Sequence, residues 1–476
     1  MNKSDQLLTA LDNWTAAFAE FVWGTPLLVL LLGGGLFFTL YARFIPFRYL
    51  GHAVQIIRGK FDDPDEPGQI NHFQALSSAL ASTVGMGNIS GVAVAIHMGG
   101  PGALFWMWVS AIVGMATKFF TCTLAIMYRG NDDQGEIQGG PMYVITEALP
   151  RYLHWLAFLF AIAGLFGCLT LFQANQLTQI LVEETLNTSG WSATSLLLLK
   201  LTIGVIIALL VALVIFGGIR RIGYVAARMV PAMVSLYIIA GLVVLMTNLA
   251  IVPEMLLLIL RDAFTGEAVL GGAVGAVIIT GIRRAAFSNE AGIGTEAMAH
   301  GAAKTSEPIR EGMVAMIGPL IDTIFVCTIT ALVILSTGVW QGNEANGVTL
   351  TTQAFAQALP GVGKPLLIIS VLIFSISTMI GYSYYGAKCT SFLFGTHHKK
   401  TYRIFYTAML IVGAVVSIDA VINFLDGMFA LMAIPTVIST LLLSPRVMAA
   451  SKKYFQDFNT HSQQGGRDEQ RYVVSE

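Results

Sequence analysis

Long apolar stretches separated by short polar loops dominate the hydrophobic pattern of this chain. A membrane-spanning helix needs roughly 20 apolar residues, and eleven stretches meet that length. We predict spans at 22–43, 73–97, 103–128, 152–184, 194–217, 224–248, 270–300, 313–338, 363–394, 401–419 and 421–445. Three shorter amphipathic stretches, at 139–149, 251–266 and 349–359, predict helices that lie at the interface or cap loops.

The composition agrees with this pattern. Of the 476 residues, 55% are hydrophobic and only 12% are charged, which predicts an all-α polytopic membrane protein with about eleven transmembrane helices. The formal net charge of −1 suggests no nucleic-acid-binding surface and no nucleic-acid partner. Walker, HExxH and Gly-x-Ser-x-Gly patterns are absent, so an enzyme is not predicted.

The distribution of Lys and Arg predicts the orientation of the spans. Most cations fall in loops on one side, while the other side has only Lys3, Arg261 and Lys364. We therefore expect residues 1–21 to lie outside, 22–43 to form an extra first span, and the C-terminus to be cytoplasmic. The polar tail, 450–476, is expected to be poorly ordered.

One predicted span, 73–97, contains the glycine-rich stretch Ser82-Thr83-Val84-Gly85-Met86-Gly87-Asn88-Ile89-Ser90-Gly91. Glycine weakens a helix interior by roughly 0.5–1 kcal/mol per residue and permits close approach of a ligand to the backbone. Backbone groups freed in a membrane need another partner. The stretch therefore predicts a broken helix at a ligand site, with a glycine-rich packing face as the alternative.

A similar glycine pattern recurs in the second part of the chain. Residues 84–90 have a counterpart at 291–296, and each lies in the first span of a run of five. Five is odd, so the second run enters the membrane from the opposite side. This predicts inverted repeats at 73–248 and 270–445, a pattern that points to a transporter's central binding site.

The first break offers groups for a cation and an anion. It would free the carbonyls of Ala81, Thr83 and Val84, and Asn88 adds an amide oxygen. Hard cations such as sodium prefer oxygen ligands. The half-helix that begins after Met86 directs its positive N-terminus toward the same place, which favours a carboxylate.

The second break places polar residues at membrane depth, which indicates function. Its candidates for substrate binding are Phe287, Ser288 and Asn289. Glu290 is either functional or a structural partner of Arg283 or Arg284. Asp322, in span eight, is either a coupling site or the partner of a cation such as Lys118.

Two further spans could form the walls of the cavity. Gln173 and Gln176, at three-residue spacing, share one face of span four, and their alternative role is to form interhelical hydrogen bonds. In span nine, Ser377 and Thr378 suit a cation site, and Tyr382 lies one turn further on.

Several motifs together resemble the alanine or glycine:cation symporter family. In order they are FQAL (73–76), TVGMGNISGVA (83–93), GGPGALFWMWVSAIVGMATK (99–118), GGPMY (139–143), FQAN (172–175), FSNEAGIG (287–294), IDT (321–323) and STMIGYSYYG (377–386). The resemblance spans about 20–448. It implies a fold of the bacterial leucine-transporter type, location in a bacterial plasma (inner) membrane, and sodium-coupled uptake of small neutral amino acids.

The resemblance also implies roles for individual residues. Substrate-binding positions by similarity are Gly85, Met86, Gly87, Asn88, Gln173, Thr378, Met379 and Tyr382. By similarity to the wider fold, sodium is bound by the carbonyls of Ala81, Val84 and Phe374 and the hydroxyls of Ser377 and Thr378. The chain departs from the usual pattern at Met86, Tyr382, Thr121 and Ala387, where Thr, Trp and two acidic residues are usual.

These observations predict a secondary transporter that imports alanine or glycine with sodium by alternating access and needs no organic cofactor. The partners expected are a small neutral amino acid, the sodium ion and the lipid bilayer. A proton-coupled carrier using Glu290 or Asp322 is the nearest alternative. A channel or sensor that uses the same breaks without coupling is a further one.

Overall fold

The computed structural model describes residues 3–185, 191–265, 274–342 and 345–473. The α-helices are α1 (Lys3–Val22), α2 (Thr25–Leu28), α3 (Gly34–Tyr41), α4 (Ile45–Arg48), α5 (Leu50–Ile57), α6 (His72–Thr83), α7 (Met86–Gly99), α8 (Ala103–Met127), α9 (Pro141–Ala148), α10 (Trp155–Gly167), α11 (Leu171–Ile180), α12 (Ala193–Ile215), α13 (Gly218–Thr247), α14 (Val252–Thr265), α15 (Val274–Asn289), α16 (Glu296–His300), α17 (Pro308–Ala315), α18 (Thr328–Thr337), α19 (Gly347–Ala358), α20 (Gly363–Phe394), α21 (Lys399–Gly413) and α22 (Ile418–Val473).

Short irregular elements complete the described chain. π-helical segments lie at Val29–Gly33, Leu181–Thr185 and Leu320–Cys327, and 3₁₀ turns lie at Arg151–Leu153 and Thr396–His398. A single antiparallel pair, β1 (Gly130–Asn131) and β2 (Ile137–Gln138), forms a small hairpin between α8 and α9. The fold is otherwise helical, as the hydrophobic pattern predicts.

Eight helical segments of the described chain are long and apolar enough to cross a membrane. They are His72–Gly99, Ala103–Met127, Arg151–Glu183, Ala193–Ile215, Gly218–Thr247, Pro308–Thr337, Gly363–Phe394 and Ile418–Phe458. A ninth candidate is the pair Asp12–Val22 and Thr25–Tyr41, bent by 53°. Each of these regions overlaps one of the predicted spans, but the bent pair begins at Asp12, within the stretch 1–21 that is predicted to lie outside.

Two predicted spans differ from the structure and explain the lower count. The span predicted at 270–300 is broken between α15 and α16, and its first four residues lie outside the described part. The span predicted at 401–419 corresponds to α21, which has only 15 residues. A helix of that length extends about 22 Å, short of the bilayer's roughly 30 Å hydrocarbon core.

The N-terminal helix and the end of α22 pack on the rest of the described chain. α1 packs along α22, where Trp23 Nε1 donates to the Asp426 carbonyl at 2.8 Å. The tail predicted from residue 450 as poorly ordered instead continues α22 as a helix. The Phe455 ring, which is buried, stacks on Tyr49 with 3.9 Å between ring centroids. Aromatic packing of this kind stabilises the helix beyond the membrane.

The three predicted amphipathic segments are confirmed as the short helices α9, α14 and α19. α19 packs on α7 close to the first break, where Thr351 Oγ1 donates to the carbonyl of Ile89 in the first turn of α7 at 3.2 Å. At the opposite end of the molecule, the segment before α6 lies beside the loop after α16.

The guanidinium group of one residue, Arg129, is hydrogen-bonded to both of these segments. Arg129 donates to the carbonyls of Pro67 at 3.0 Å, Gly301 at 3.0 Å and Thr305 at 3.1 Å, and also to that of Ala303. Backbone bonds reinforce the contact, including Gln69 N–H to the Ala302 carbonyl at 2.8 Å. We call residues 67–71 and 301–305, with Arg129, the strap.

Candidate functional site

The first span is broken at Val84 and Gly85, between α6 and α7. An intact helix would pair the Gly85 amide with the Ala81 carbonyl, but this amide donates to Asn88 Oδ1 at 2.8 Å. The Asn88 amide donates to Gly85 rather than to Val84. Within the described structure, the carbonyls of Ala81 and Val84 therefore lack helical donors. The predicted break is confirmed.

Asn88 joins the first break to two other elements. Its Nδ2 donates to Ser288 Oγ on α15 at 3.2 Å and to the Asp322 carbonyl at 3.1 Å. The backbones also come close, since a Cβ on Gly87 would lie 3.3 Å from the Ser288 Cα. The structure thus brings together the predicted residues Gly85, Gly87, Asn88 and Ser288, all buried.

The second break follows α15 and turns through left-handed backbone. Glu290, Gly292 and Gly294 have φ angles of 57°, 87° and 90°, which are unusual for a glutamate. Asn289 caps the end of α15, because its Oδ1 accepts the Ala291 amide at 3.0 Å. Its Nδ2 donates to Thr323 Oγ1 at 3.0 Å, so both ends of this amide have protein partners.

Asp322 lies in the π-helical segment Leu320–Cys327 and faces both breaks. Its Oδ1 accepts Ser288 Oγ at 2.6 Å and Thr323 Oγ1 at 2.8 Å. Its Oδ2 is buried and has no hydrogen-bond partner among the described residues. The alternative of an ion pair with Lys118 is not formed within 4.0 Å there. π-helical turns often occur at functional sites.

The predicted structural pairing of Glu290 with Arg283 or Arg284 is wrong. Glu290 instead accepts hydrogen bonds from Tyr382 on α20 and from Thr295. The helix ends before Glu290, so the side chain turns away from the face of α15 that presents the arginines. Tyr382 thus has a hydroxyl that the Trp expected at this position from the resemblance would lack.

The predicted sodium ligands lie on α6 and α20, which pack closely together. A Cβ on Gly85 would overlap the Thr378 hydroxyl. The Thr83 and Thr378 hydroxyl oxygens are buried without a hydrogen-bond partner among the described residues. Ser377 Oγ donates to the Phe374 carbonyl at 2.9 Å. Oxygen-rich surroundings of this kind fit a hard cation.

Two glutamines of α11, Gln173 and Gln176, have different surroundings. Gln173 Oε1 is buried and has no partner in the described chain, and the neighbouring Phe172 contacts Phe287 edge to face, with centroids 5.0 Å apart. Gln176 Oε1 accepts Ser90 Oγ and the Val348 amide. Gln176 therefore forms the interhelical hydrogen bonds that were its alternative role.

The remaining predicted pocket residues, Met86, Met379 and Tyr382, are buried beside these elements. Met86 is the first residue of α7. The Met379 carbonyl accepts the Tyr406 hydroxyl at 2.6 Å, which connects α20 to α21. The structure thus places an apolar side chain next to the freed backbone of the first break.

One buried network was not identified from the sequence. Glu311 on α17 accepts His300 Nδ1 at 2.5 Å on one oxygen and His72 Nδ1 on the other. It connects the outer ends of α6 and α16, the half-helices on either side of the strap. The sequence contains one indication of this network. Its three members are ionisable residues beside or within predicted spans, and such residues indicate function by default.

A second buried pair, Arg284 with Asp426, allows a stability prediction. Removing one partner leaves an unpaired buried charge, which costs about 3–5 kcal/mol. We expect Asp426→Asn to lower the free energy of unfolding by that amount. In the pair of Lys399 and Asp132, whose lysine side chain is 30% exposed, Lys399→Gln should cost less, about 1 kcal/mol.

Denaturant unfolding in detergent measures both changes. The double variant Arg284→Met with Asp426→Leu should recover much of the loss, because it removes both charges of the buried pair. If Asp426→Asn unfolds at the wild-type denaturant concentration, the pair does not contribute to stability.

Comparison with known proteins identifies the family. A model of the sodium:alanine symporter family matches residues 8–468. The sodium/alanine symporter AgcS of Methanococcus maripaludis is 41% identical over 439 residues, covering 91% of this chain and 95% of that protein. The amino-acid carrier protein AlsT of Bacillus subtilis is 34% identical over 451 residues, covering 94% of this chain and 92% of that protein.

Among solved structures, MhsT in complex with L-phenylalanine has a similar fold, with a TM-score of 0.54 at 13% identity. The match covers 81% of this chain and 93% of MhsT. It confirms the predicted fold class of the bacterial leucine-transporter type. The protein is a multi-pass membrane transporter and not an enzyme. It belongs to the sodium:alanine symporter family.

Proposed function

We propose that the protein imports small neutral amino acids, alanine and glycine, together with sodium ions by alternating access. The main support is a set of buried oxygens beside the first break that lack a hydrogen-bond partner or, for the carbonyls, a helical donor among the described residues. These are the hydroxyls of Thr83 and Thr378 and the carbonyls of Ala81 and Val84. Buried polar groups are normally paired, so these oxygens suit a cation that binds during transport.

The substrate carboxylate would bind at the N-terminus of α7. There the backbone of Gly85, Met86 and Gly87 meets the positive end of the helix dipole. Gln173 Oε1, buried and unpartnered among the described residues, is available for the amino group. The other proposed contacts are Asn88, Phe287, Ser288, Asn289, Thr378, Met379 and Tyr382.

Sodium and substrate would bind on either side of the same break. Binding of sodium to α6 and α20 would order the freed backbone and so raise the affinity for the amino acid. The Lys and Arg distribution supports an orientation with the N-terminus outside and the C-terminus in the cytoplasm. Import would therefore carry the amino acid and sodium from the outside to the cytoplasm across a plasma membrane.

Uptake of radiolabelled alanine into proteoliposomes tests the coupling. An inward sodium gradient at fixed pH should accelerate uptake, and glycine should compete. Thr378→Val keeps the side-chain shape but removes the proposed ligand, so it should abolish the sodium dependence. Ser383→Ala is the matched control, because among the described residues that hydroxyl donates to its own helix alone, at the Ile380 carbonyl. Uptake indifferent to sodium would contradict the proposal.

A proton is the alternative coupling ion, and one observation favours it. Glu290 is fully buried and its carboxylate is hydrogen-bonded by Tyr382 and Thr295, with no cation within 4.0 Å among the described residues. A carboxylate in that position could bind and release a proton. Acceleration of uptake by a proton gradient at equal sodium, lost in Glu290→Gln, would support this alternative over sodium.

A further inference from the structure

A groove of about 750 Å³ lies between the first membrane segment, which ends in α3, and the part of α22 that follows Pro445. We call that part of the helix the α22 extension. The walls of the groove come from the end of α3, from α4 and from the α22 extension. Three cations, Arg43, Arg48 and Lys452, line it, and all are exposed. None of the lining residues is acidic. In the described chain no carboxylate lies within 4.0 Å of these cations.

The opposite face of the same helix has a different charge pattern. A cavity of about 610 Å³ there is lined by Arg310 and Lys453 but also by Glu307 and Asp457. Cations and carboxylates are thus mixed on that face, whereas the groove holds cations alone. Lys452 and Lys453 are neighbours in sequence and yet face different electrostatic surroundings. The groove therefore favours a negatively charged occupant.

Apolar surface continues from the groove into the membrane region. Leu36, Phe37 and Leu40 on α3 are exposed, and so is Phe44, which follows Arg43 in the chain. The chain reverses at Arg43 and Phe44, whose φ angles of 50° and 61° are uncommon for residues with a side chain. This turn places Arg43 directly after the last turn of the membrane helix. Cations next to an apolar surface match the anionic headgroup and the acyl chains of a phospholipid.

We propose that this groove binds an anionic phospholipid. Arg43, Arg48 and Lys452 would hold the phosphate of the headgroup, since guanidinium groups bind phosphate with two hydrogen bonds. The acyl chains would lie along the exposed face of α3. Basic pockets between helices at the membrane surface are suited to such headgroups. The bound lipid would connect the first membrane segment to the end of the α22 extension.

The test measures how lipids stabilise the full-length protein in detergent. Phosphatidylglycerol should raise the unfolding temperature, and phosphatidylcholine should not. In the triple variant Arg43→Gln, Arg48→Gln and Lys452→Gln, the phosphatidylglycerol concentration needed for half of the effect should rise about tenfold or more. The matched control Arg220→Gln, Arg221→Gln and Lys453→Gln removes three cations elsewhere and should respond as the wild type does.

Three outcomes would overturn the proposal. They are an unchanged response of the triple variant, an equal loss in the control, and an equal effect of phosphatidylcholine. Inorganic phosphate is tested separately. Stabilisation by phosphate but not by phosphatidylglycerol would show a site for small anions and contradict the lipid site. Lys452→Glu is the second variant if the triple one does not fold. Native mass spectrometry should then show loss of co-purified phosphatidylglycerol, and retention at the wild-type level would contradict the lipid site.

Discussion

Replacing Asn88 by alanine should reduce alanine uptake by roughly a hundredfold while the protein remains folded. The Asn88 side chain holds three parts of the site together: the Gly85 amide, the Ser288 hydroxyl and the Asp322 carbonyl. Each buried group left unpaired costs about 1–3 kcal/mol. The Gly85 amide would then be free to pair with Ala81 and re-form the helix across the break.

The matched control is Asn175→Ala. Asn175 also bridges helices, since its Nδ2 donates to the Val416 carbonyl at 2.7 Å, but it does not touch either break. Its variant should transport within a few-fold of the wild type. Initial uptake rates and thermal unfolding of both purified variants give the comparison. Unchanged uptake by Asn88→Ala, or equal losses in both, would remove Asn88 from the site.

Replacing Gly85 by alanine should abolish both transport and stabilisation of the protein by sodium. The added methyl group would overlap the Thr378 hydroxyl on α20. Either the two helices separate or Thr378 turns away from its proposed ion. Overpacking of this kind typically costs about 1–3 kcal/mol of stability, and the cation site would be lost with it.

Gly51→Ala is the matched control for this substitution. Gly51 lies in α5, and a Cβ there would meet no atom within 4 Å. Alanine should raise stability by about 0.5–1 kcal/mol, because it favours the helix. Unfolding temperatures with sodium and with potassium distinguish the two variants. A sodium-dependent rise in Gly85→Ala equal to that of the wild type would contradict the assigned cation site.

The glycine pattern alone located the break and its freed carbonyls. Gly85 and Gly87 lie in an apolar span, and the physical cost of an open backbone in a membrane allows few interpretations. The counterpart at Gly292 and Gly294 was predictable for the same reason. Which side chains bind substrate and sodium, and where the repeats at 73–248 and 270–445 begin and end, stay predictions.

The partners of buried charges could not be predicted from the sequence. Arg284 lies six residues from Glu290, which suggested a local pair, but its partner Asp426 is 142 residues away. The choice between them depends on how α22 crosses α15, and residue spacing does not contain that information. The helical tail was missed for a related reason. Tyr454 and Phe455 are isolated aromatic residues in a polar stretch, and only their packing on α5 shows their role.

The strap has a consequence for how the transporter can open. It joins the chain entering α6 to the chain leaving α16, and Arg129 contacts both segments. Neither half-helix can swing outward alone without exposing carbonyls that now share one guanidinium. We therefore expect the two half-helices, α6 and α16, to move together at this end of the molecule.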